Sequence, residues 1–201
     1  MGNTCNANTS HGISSLVSNY ILASSNLCQG NTQHGIYIWR SSNCTVEGNV
    51  CDDNGADGIR VRSDAGDADN NIIKDNICRG NTSNGIEISE ATSDDNHVIG
   101  NTLSGNGVNF ANAGTGTIIE FNKGYVTENS GIATLLNGNT SIVVAHGLEA
   151  SPTVILITFA ENSTNAIGDW WIDTIGAANF TLNGVDPGAS NLDFYWEAKV
   201  R

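Results

Sequence analysis

Positive charge is scarce in this chain of 201 residues: eight Lys and Arg stand against 21 Asp and Glu, for a formal net charge of −13 at pH 7. That sign repels phosphate backbones and anionic bilayers, so nucleic acid and charged membrane surfaces are excluded as bulk partners. No stretch approaches the roughly 20 apolar residues that span a bilayer, and membrane insertion is not expected. The opening Met1-Gly2 carries no basic or apolar leader region. Proline is limited to Pro152 and Pro187. Cysteine occurs five times, an odd number that does not suit a closed disulfide framework.

What the chain has instead is repetition. The blocks Asn3-Thr4-Cys5-Asn6-Ala7-Asn8, Asn26-Leu27-Cys28-Gln29-Gly30-Asn31, Asn49-Val50-Cys51-Asp52-Asp53-Asn54, Asn76-Ile77-Cys78-Arg79-Gly80-Asn81 and Asn101-Thr102-Leu103-Ser104-Gly105-Asn106 superimpose. Their first asparagines are 23, 23, 27 and 25 residues apart, a period that marks a stacked solenoid. A second register follows in Gly12-Ile13, Gly35-Ile36, Gly58-Ile59, Gly85-Ile86 and Gly107-Val108. The glycine marks a corner where a side chain would collide, and the β-branched residue turns inward. Apolar and other residues then alternate at period two, as in Ile36-Tyr37-Ile38-Trp39 and Ile59-Arg60-Val61-Arg62. A third strand precedes each asparagine: Thr45-Val46-Glu47, Ile72-Ile73-Lys74, His97-Val98-Ile99 and Ile118-Ile119-Glu120. Three short strands per coil, with Val46, Ile73, Val98 and Ile119 in one inward column, define an all-β, right-handed parallel β-helix of about five coils. The hand follows the crossover rule for parallel strands.

This pattern, G-I-x-I followed by N-x-I/V/C-x-x-N-x-x-G, resembles the repeat of pectate-lyase-like, periplasmic copper-site maturation and mannuronan epimerase proteins over roughly residues 3 to 125. The resemblance implies the fold; function varies widely on this scaffold, from lyases and hydrolases to inert stalks. The Asp-Pro-His motif of the epimerases is missing. Because the first block opens in mid-coil with nothing to cap the stack, Met1-Gly2 reads as an expression start and the chain as the C-terminal part of something longer.

Cys5, Cys28, Cys51 and Cys78 share one ladder position, continued by Leu103, and should stack inward. Strand spacing of about 4.8 Å exceeds the roughly 3.5–4.5 Å between Cβ atoms that a disulfide needs, and a straight column cannot surround zinc. Buried small hydrophobes are expected, with Cys44 in another column and no metal site. The ladder asparagines Asn3, Asn26, Asn49, Asn76, Asn101 and Asn122 are expected at a sharp bend, tolerating unusual backbone angles and bonding the next coil. Two acidic loops, Asp64 to Asp69 and Glu90 to Asp95, are a candidate calcium edge; a solvated acidic rim is the plainer expectation, and no cofactor is implied.

After Tyr125 the period stops. Six strand-like runs around Leu135, Ile142, Ile155, Ile172, Phe180 and Tyr195, separated by Gly, Pro and Asn turns, predict a small antiparallel sandwich over 127–201, with the tryptophans there as core and His146 bonded to backbone. This segment resembles the β-sandwich modules that end phage tail-fibre and tailspike-type surface proteins, and H-type lectin domains. That resemblance implies a capping unit and a homotrimer.

Candidate chemistry lies on the outward columns of the Gly-Ile strand: Ser14, Tyr37, Arg60, Glu87 and Asn109, then Leu16, Trp39, Arg62, Ser89 and Ala111. Aromatic faces beside Arg and Glu match a sugar ring, apolar on its face and hydroxylated at its rim. Tyr37, Trp39, Arg60, Arg62 and Glu87 are therefore the candidate substrate-binding residues, and Arg60 with Glu87 also reads as a plain cross-coil ion pair. Catalysis would need a second carboxylate, for which Asp57 and Glu90 are candidates; no motif assigns a catalytic residue. The sequence predicts an extracellular, cell-surface or virion β-helix stalk facing a polysaccharide or cell-surface glycan. Its rival is a polysaccharide lyase or glycoside hydrolase acting on the Tyr37/Arg60/Glu87 face.

Overall fold

The computed structural model describes residues 2–64, 66–160, 169–188 and 190–200; Met1 and Ala65, which enter the readings above, lie outside them. Regular structure in the described residues is entirely β, so no helix there is long and apolar enough to cross a membrane. The chain divides into two compact units, Met1–Tyr125 and Val126–Arg201.

The first unit is a parallel β-helix. With strands numbered in chain order, one sheet stacks β1 (Ile13–Leu16), β4 (Ile36–Trp39), β7 (Ile59–Arg62), β10 (Asn84–Ile88) and β13 (Val108–Asn112). A second stacks β2 (Leu22–Ser24), β5 (Thr45–Glu47), β8 (Ile72–Lys74), β11 (His97–Ile99) and β14 (Ile118–Glu120). The third holds β3 (Leu27–Gln29), β6 (Val50–Asp52), β9 (Ile77–Arg79) and β12 (Thr102–Ser104), extended by bridges at Thr4 and Lys123.

Besides the left-handed bend at Val17, Arg40 and Asp64, three longer columns of left-handed residues turn the coils. Ala7, Gly30, Asp53, Gly80 and Gly105 form one, Tyr20, Asn43, Asn70, Asp95 and Gly116 the next, and Ser25, Gly48, Asp75, Gly100 and Phe121 the last, all with φ between 52° and 68°. The last column corrects the expectation for the asparagine ladder: the strained angle falls on the residue before the asparagine. The asparagine itself points inward, where its amide is needed. Asn49 Nδ2 donates to Asn76 Oδ1 at 2.9 Å and to Ala23 O at 2.9 Å, while Asn76 Oδ1 also accepts the Asn49 main-chain N–H at 3.0 Å. The ladder runs from Asn3 to Asn122, and the closing asparagines Asn8, Asn31, Asn54, Asn81 and Asn106 build a second one of the same design. Buried amides satisfied this fully define the stacking register, since an unmet one costs roughly 1–3 kcal/mol.

Ala23, Val46, Ile73, Val98 and Ile119 form the expected apolar column. Cys28, Cys51 and Cys78 stand in register and are buried with free thiols, as is Cys44; Cys5 is part-exposed. Hydrogen bonding to Cys51 together with burial pushes the Cys28 thiol far above its ordinary value. Gly12, Gly35 and Gly58 are demanded by close approach: a Cβ on each would lie 2.6 Å from the carbonyl oxygen of the next coil's glycine.

The fifth coil corrects the repeat alignment. Ile86 pairs with Phe110 and Glu87 with Ala111, so Val108 is exposed, Phe110 is buried, and the carbonyl facing Gly85 belongs to Asn109. The Gly107-Val108 dipeptide imitates the motif two residues early; the buried phenyl ring, packed against Tyr125 at 5.0 Å, sets the register.

The second unit has two antiparallel three-stranded sheets. One is β15 (Glu128–Leu135), β20 (Leu192–Lys199) and β17 (Val154–Phe159); the other is β16 (Ser141–Ala145), β19 (Asn179–Asn183) and β18 (Trp171–Asp173). Val144, Phe180, Leu182, Phe194, Trp196 and Ala198 from both sheets share a core. His146 is buried, donating from Nε2 to Gly176 O at 3.0 Å and accepting the Leu148 N–H at Nδ1 at 3.0 Å. Of the tryptophans expected as core, Trp196 is buried but Trp171 is half-exposed, because its strand alternation turns it outward.

Candidate functional site

On the five-stranded sheet of the β-helix, inward isoleucines and valines force the intervening residues outward. Tyr37 pairs with Arg60 and Trp39 with Arg62, and Glu87 stands beside Arg60. All five candidate residues share this outer face and are half-buried. Arg60 Nε lies 3.2 Å from Glu87 Oε2, and its Nη1 lies 3.7 Å from Asp57 Oδ2.

Residues immediately before the glycine of each coil supply a column that the sequence reading passed over, apart from Asp57. It runs His11, His34, Asp57, Asn84. The imidazoles of His11 and His34 stack in parallel with centroids 5.1 Å apart, and Tyr37 leans against both at 4.7 and 5.2 Å. His34 Nδ1 sits 3.2 Å from the Asp57 main-chain N–H and 3.0 Å from Asp57 Oδ2. It can accept the first or, protonated, donate to the second. Asp57 Oδ1 accepts the main-chain and side-chain N–H groups of Asn84, each at 2.9 Å. The signal was available: a polar residue precedes glycine in the first four coils, at the phase of the repeat.

These contacts separate the two carboxyls electrostatically. Burial disfavours the charge on Asp57, yet hydrogen bonds from His34 and Asn84 hold its carboxyl below the ordinary aspartate range. Burial, followed by the charge of Asp57, pushes the Glu87 carboxyl up, against the pull of Arg60. Burial also pushes the His11 imidazole down, with His34 adding to the effect.

Arg62 is aligned with Trp39, but its guanidinium turns to Asp64 Oδ1 at 3.4 Å and Glu90 Oε1 at 3.5 Å, with Tyr37 as a further partner. The cation over the Trp39 ring is Arg40, 4.7 Å from the centroid, anchored by the main-chain carbonyls of Ser63 and Asp64. Register alone pointed to Arg62; Arg40 reaches the ring because it follows Trp39 at a left-handed bend.

Neither candidate second carboxylate is set across a gap from Glu87. Asp57 and Glu87 are both drawn to the one Arg60 guanidinium, at 3.7 and 3.2 Å, whereas a glycosidase pair flanks the sugar itself, and Glu90 is engaged by Arg62. In the acidic loops, Asp69 Oδ1 accepts the Asp94 N–H at 2.8 Å and Asp94 Oδ1 the Thr115 N–H at 3.3 Å. These carboxylates serve as rungs between coils. Among the described residues no three His, Cys, Asp or Glu side chains are grouped to hold a metal ion.

The fold and this face define the class, a parallel β-helix with paired asparagine ladders and a polar, aromatic outer sheet. Within that class the chain belongs to the periplasmic copper-binding protein (NosD) family, whose profile matches residues 1–142. No curated protein matches significantly. Among solved structures, a mutant of the periplasmic alginate epimerase AlgG is 18% identical with a TM-score of 0.49, over 61% of this chain and 33% of that one. The Dettilon tailspike is 12% identical with a TM-score of 0.40, over 89% and 56%. The Gp54 tailspike of Acinetobacter baumannii bacteriophage AP22, in complex with capsular saccharide, is 9% identical with a TM-score of 0.28, over 99% and 60%. The chain thus spans between a third and three fifths of these proteins' lengths.

Proposed function

We propose that this chain is a glycan-facing β-helix module working outside the cytoplasm, at a cell or virion surface, and assembling as a homotrimer through its C-terminal unit. The observation that carries the reading is the outer sheet face, where the part-exposed Tyr37, Trp39 and His11, the last stacked on the buried His34, offer ring surface beside Arg60, Arg62 and Glu87 as hydroxyl partners. Aromatic surface with flanking donors and acceptors is the chemistry of sugar recognition. Assembly is supported by Ile132, Leu156 and Tyr195, each more than half exposed on the outer face of the β15–β20–β17 sheet. A lyase or hydrolase reading is less well served, since Asp57 and Glu87 share the Arg60 guanidinium and Asp57 is further held by His34 and Asn84.

Copper binding is carried by the family name. The residues described do not fit it: the inward cysteines are stacked in line, with the Cys28 thiol pushed far up by its hydrogen bond to Cys51 and by burial, and no three metal-ligating side chains gather among the described residues. It is therefore not part of the proposal.

Calorimetry against surface polysaccharides and their oligosaccharides tests the reading. Binding without turnover, weakened at least tenfold in Trp39→Ala with the melting temperature unchanged, is expected. A broad panel with no ligand would remove the glycan role and leave a structural stalk.

A further inference from the structure

The pairing of charges on this face carries a ligand class, and the inference rests on the glycan-binding reading. Arg60 is held between Glu87 and Asp57, and Arg62 between Asp64 and Glu90. Arg40 is committed to the Trp39 ring and to main-chain carbonyls. Two of the three guanidinium groups of the face thus meet four carboxylates and the third an indole and carbonyls, so each is occupied before any ligand arrives.

An anionic sugar would have to displace a carboxylate that the coil already positions, and then leave that carboxylate unpaired beside it. Neutral hydroxyl groups face no such exchange, because a hydroxyl donates and accepts at once. A carboxylate oxygen takes its proton while a guanidinium N–H reaches its lone pair. Arg60 Nε and Arg62 Nε are buried against Glu87 and Glu90, but the side chains of both pairs stay part-exposed, so a hydroxyl meets each pair at its remaining guanidinium and carboxylate atoms. The rings of Tyr37, His11 and His34 carry no charge requirement of their own.

We propose that the face selects neutral glycans and rejects uronate-bearing, sialylated or sulfated ones, through carboxylates that pre-empt Arg60 and Arg62. The net charge of −13 acts in the same direction from a distance, but that contribution is screened beyond about 8 Å in physiological salt. Rejection by the local pairs outlasts the screening.

The test is an immobilised panel of neutral and acidic oligosaccharides, read at about 0.15 M and about 0.5 M salt with the wild-type chain and with the double variant Glu87→Gln, Glu90→Gln. Neutral members should bind and acidic members fail at both salts, and the double variant, with each guanidinium freed of one of its two carboxylates, should gain at least tenfold for acidic members. Preferential binding of acidic members by the wild type overturns the selectivity while leaving the glycan role intact. Acidic binding that appears at high salt overturns it as well, since bulk repulsion then did the excluding. A double variant that melts normally and gains nothing also overturns it. If that variant fails to fold, the wild-type panel still decides, and a panel with no binding at all removes the glycan role and the selectivity with it.

Discussion

At the scale of single residues, the asparagine ladder and the Asp57 cluster make the sharpest claims. Asn76 accepts the main-chain and side-chain N–H of Asn49, donates to Val46 O, and hands on to Asn101. Asn76→Leu strands several buried groups at once, so denaturant unfolding should report a loss of about 3 kcal/mol or more; an unchanged midpoint would refute the ladder's structural role. Acid should act through Asp57 and His11. Both have folded values held below their ordinary ones, so the stability each contributes is complete above its ordinary value, about 3.9 for Asp and 6.5 for His, and is lost as pH falls through the folded value. Glu87, raised in the fold, runs the other way: its contribution is complete below its ordinary value and lost as pH rises through the folded one. Thermal melts from pH 7 down to pH 2 should therefore fall more steeply in the wild type than in Asp57→Asn; parallel curves would contradict the assignment.

Individual elements show how far sequence carries. The strands Thr45–Glu47, Ile72–Lys74, His97–Ile99 and Ile118–Glu120 were legible to the residue, because period-two alternation recurs in phase with the asparagines. The fifth coil was not: Gly107-Val108 copies the motif, and only the bulk of Phe110 decides what goes inside. The candidate face was half legible. Register placed Tyr37 beside Arg60 and Trp39 beside Arg62, but the swing of a long guanidinium toward Asp64, or of Arg40 over an indole, is a rotamer choice that no spacing encodes. The glycine before each inward strand is an element-level requirement. In Gly58→Ala the methyl group would lie 2.6 Å from the Gly85 carbonyl oxygen, and shifting a backbone rung should cost about 1–3 kcal/mol. Circular dichroism melts of that variant beside the exposed Gly30→Ala control, where the added Cβ meets nothing, separate the clash from left-handed strain. A melting temperature unchanged in Gly58→Ala would show that close approach is not the constraint there.

For the whole molecule, Ile132, Leu156 and Tyr195 are exposed on one face of a single sheet, and association through that face would cover them. Light scattering should give three times the chain mass, and Tyr195→Asp should shift it toward one; a full-length chain that stays monomeric at high concentration would remove the trimer.

The hydrogen-bonded ladders also make the coil an interchangeable cassette. Each rung accepts from the coil before it and donates to the coil after it, so the chain of amides has a direction but no memory of which coil it has reached. Excising residues 49–75, one whole coil from Asn49 to the residue before Asn76, would leave Asn26 facing Asn76, Cys28 facing Cys78 and Val46 followed by Val98's column unbroken. Excising only part of a coil would put both ladders out of phase. Length can thus be gained or lost in whole coils without redesigning the core, while the outer face changes its chemistry with every coil: this excision would remove Asp57, Arg60 and Arg62 together and bring Tyr37 beside Glu87.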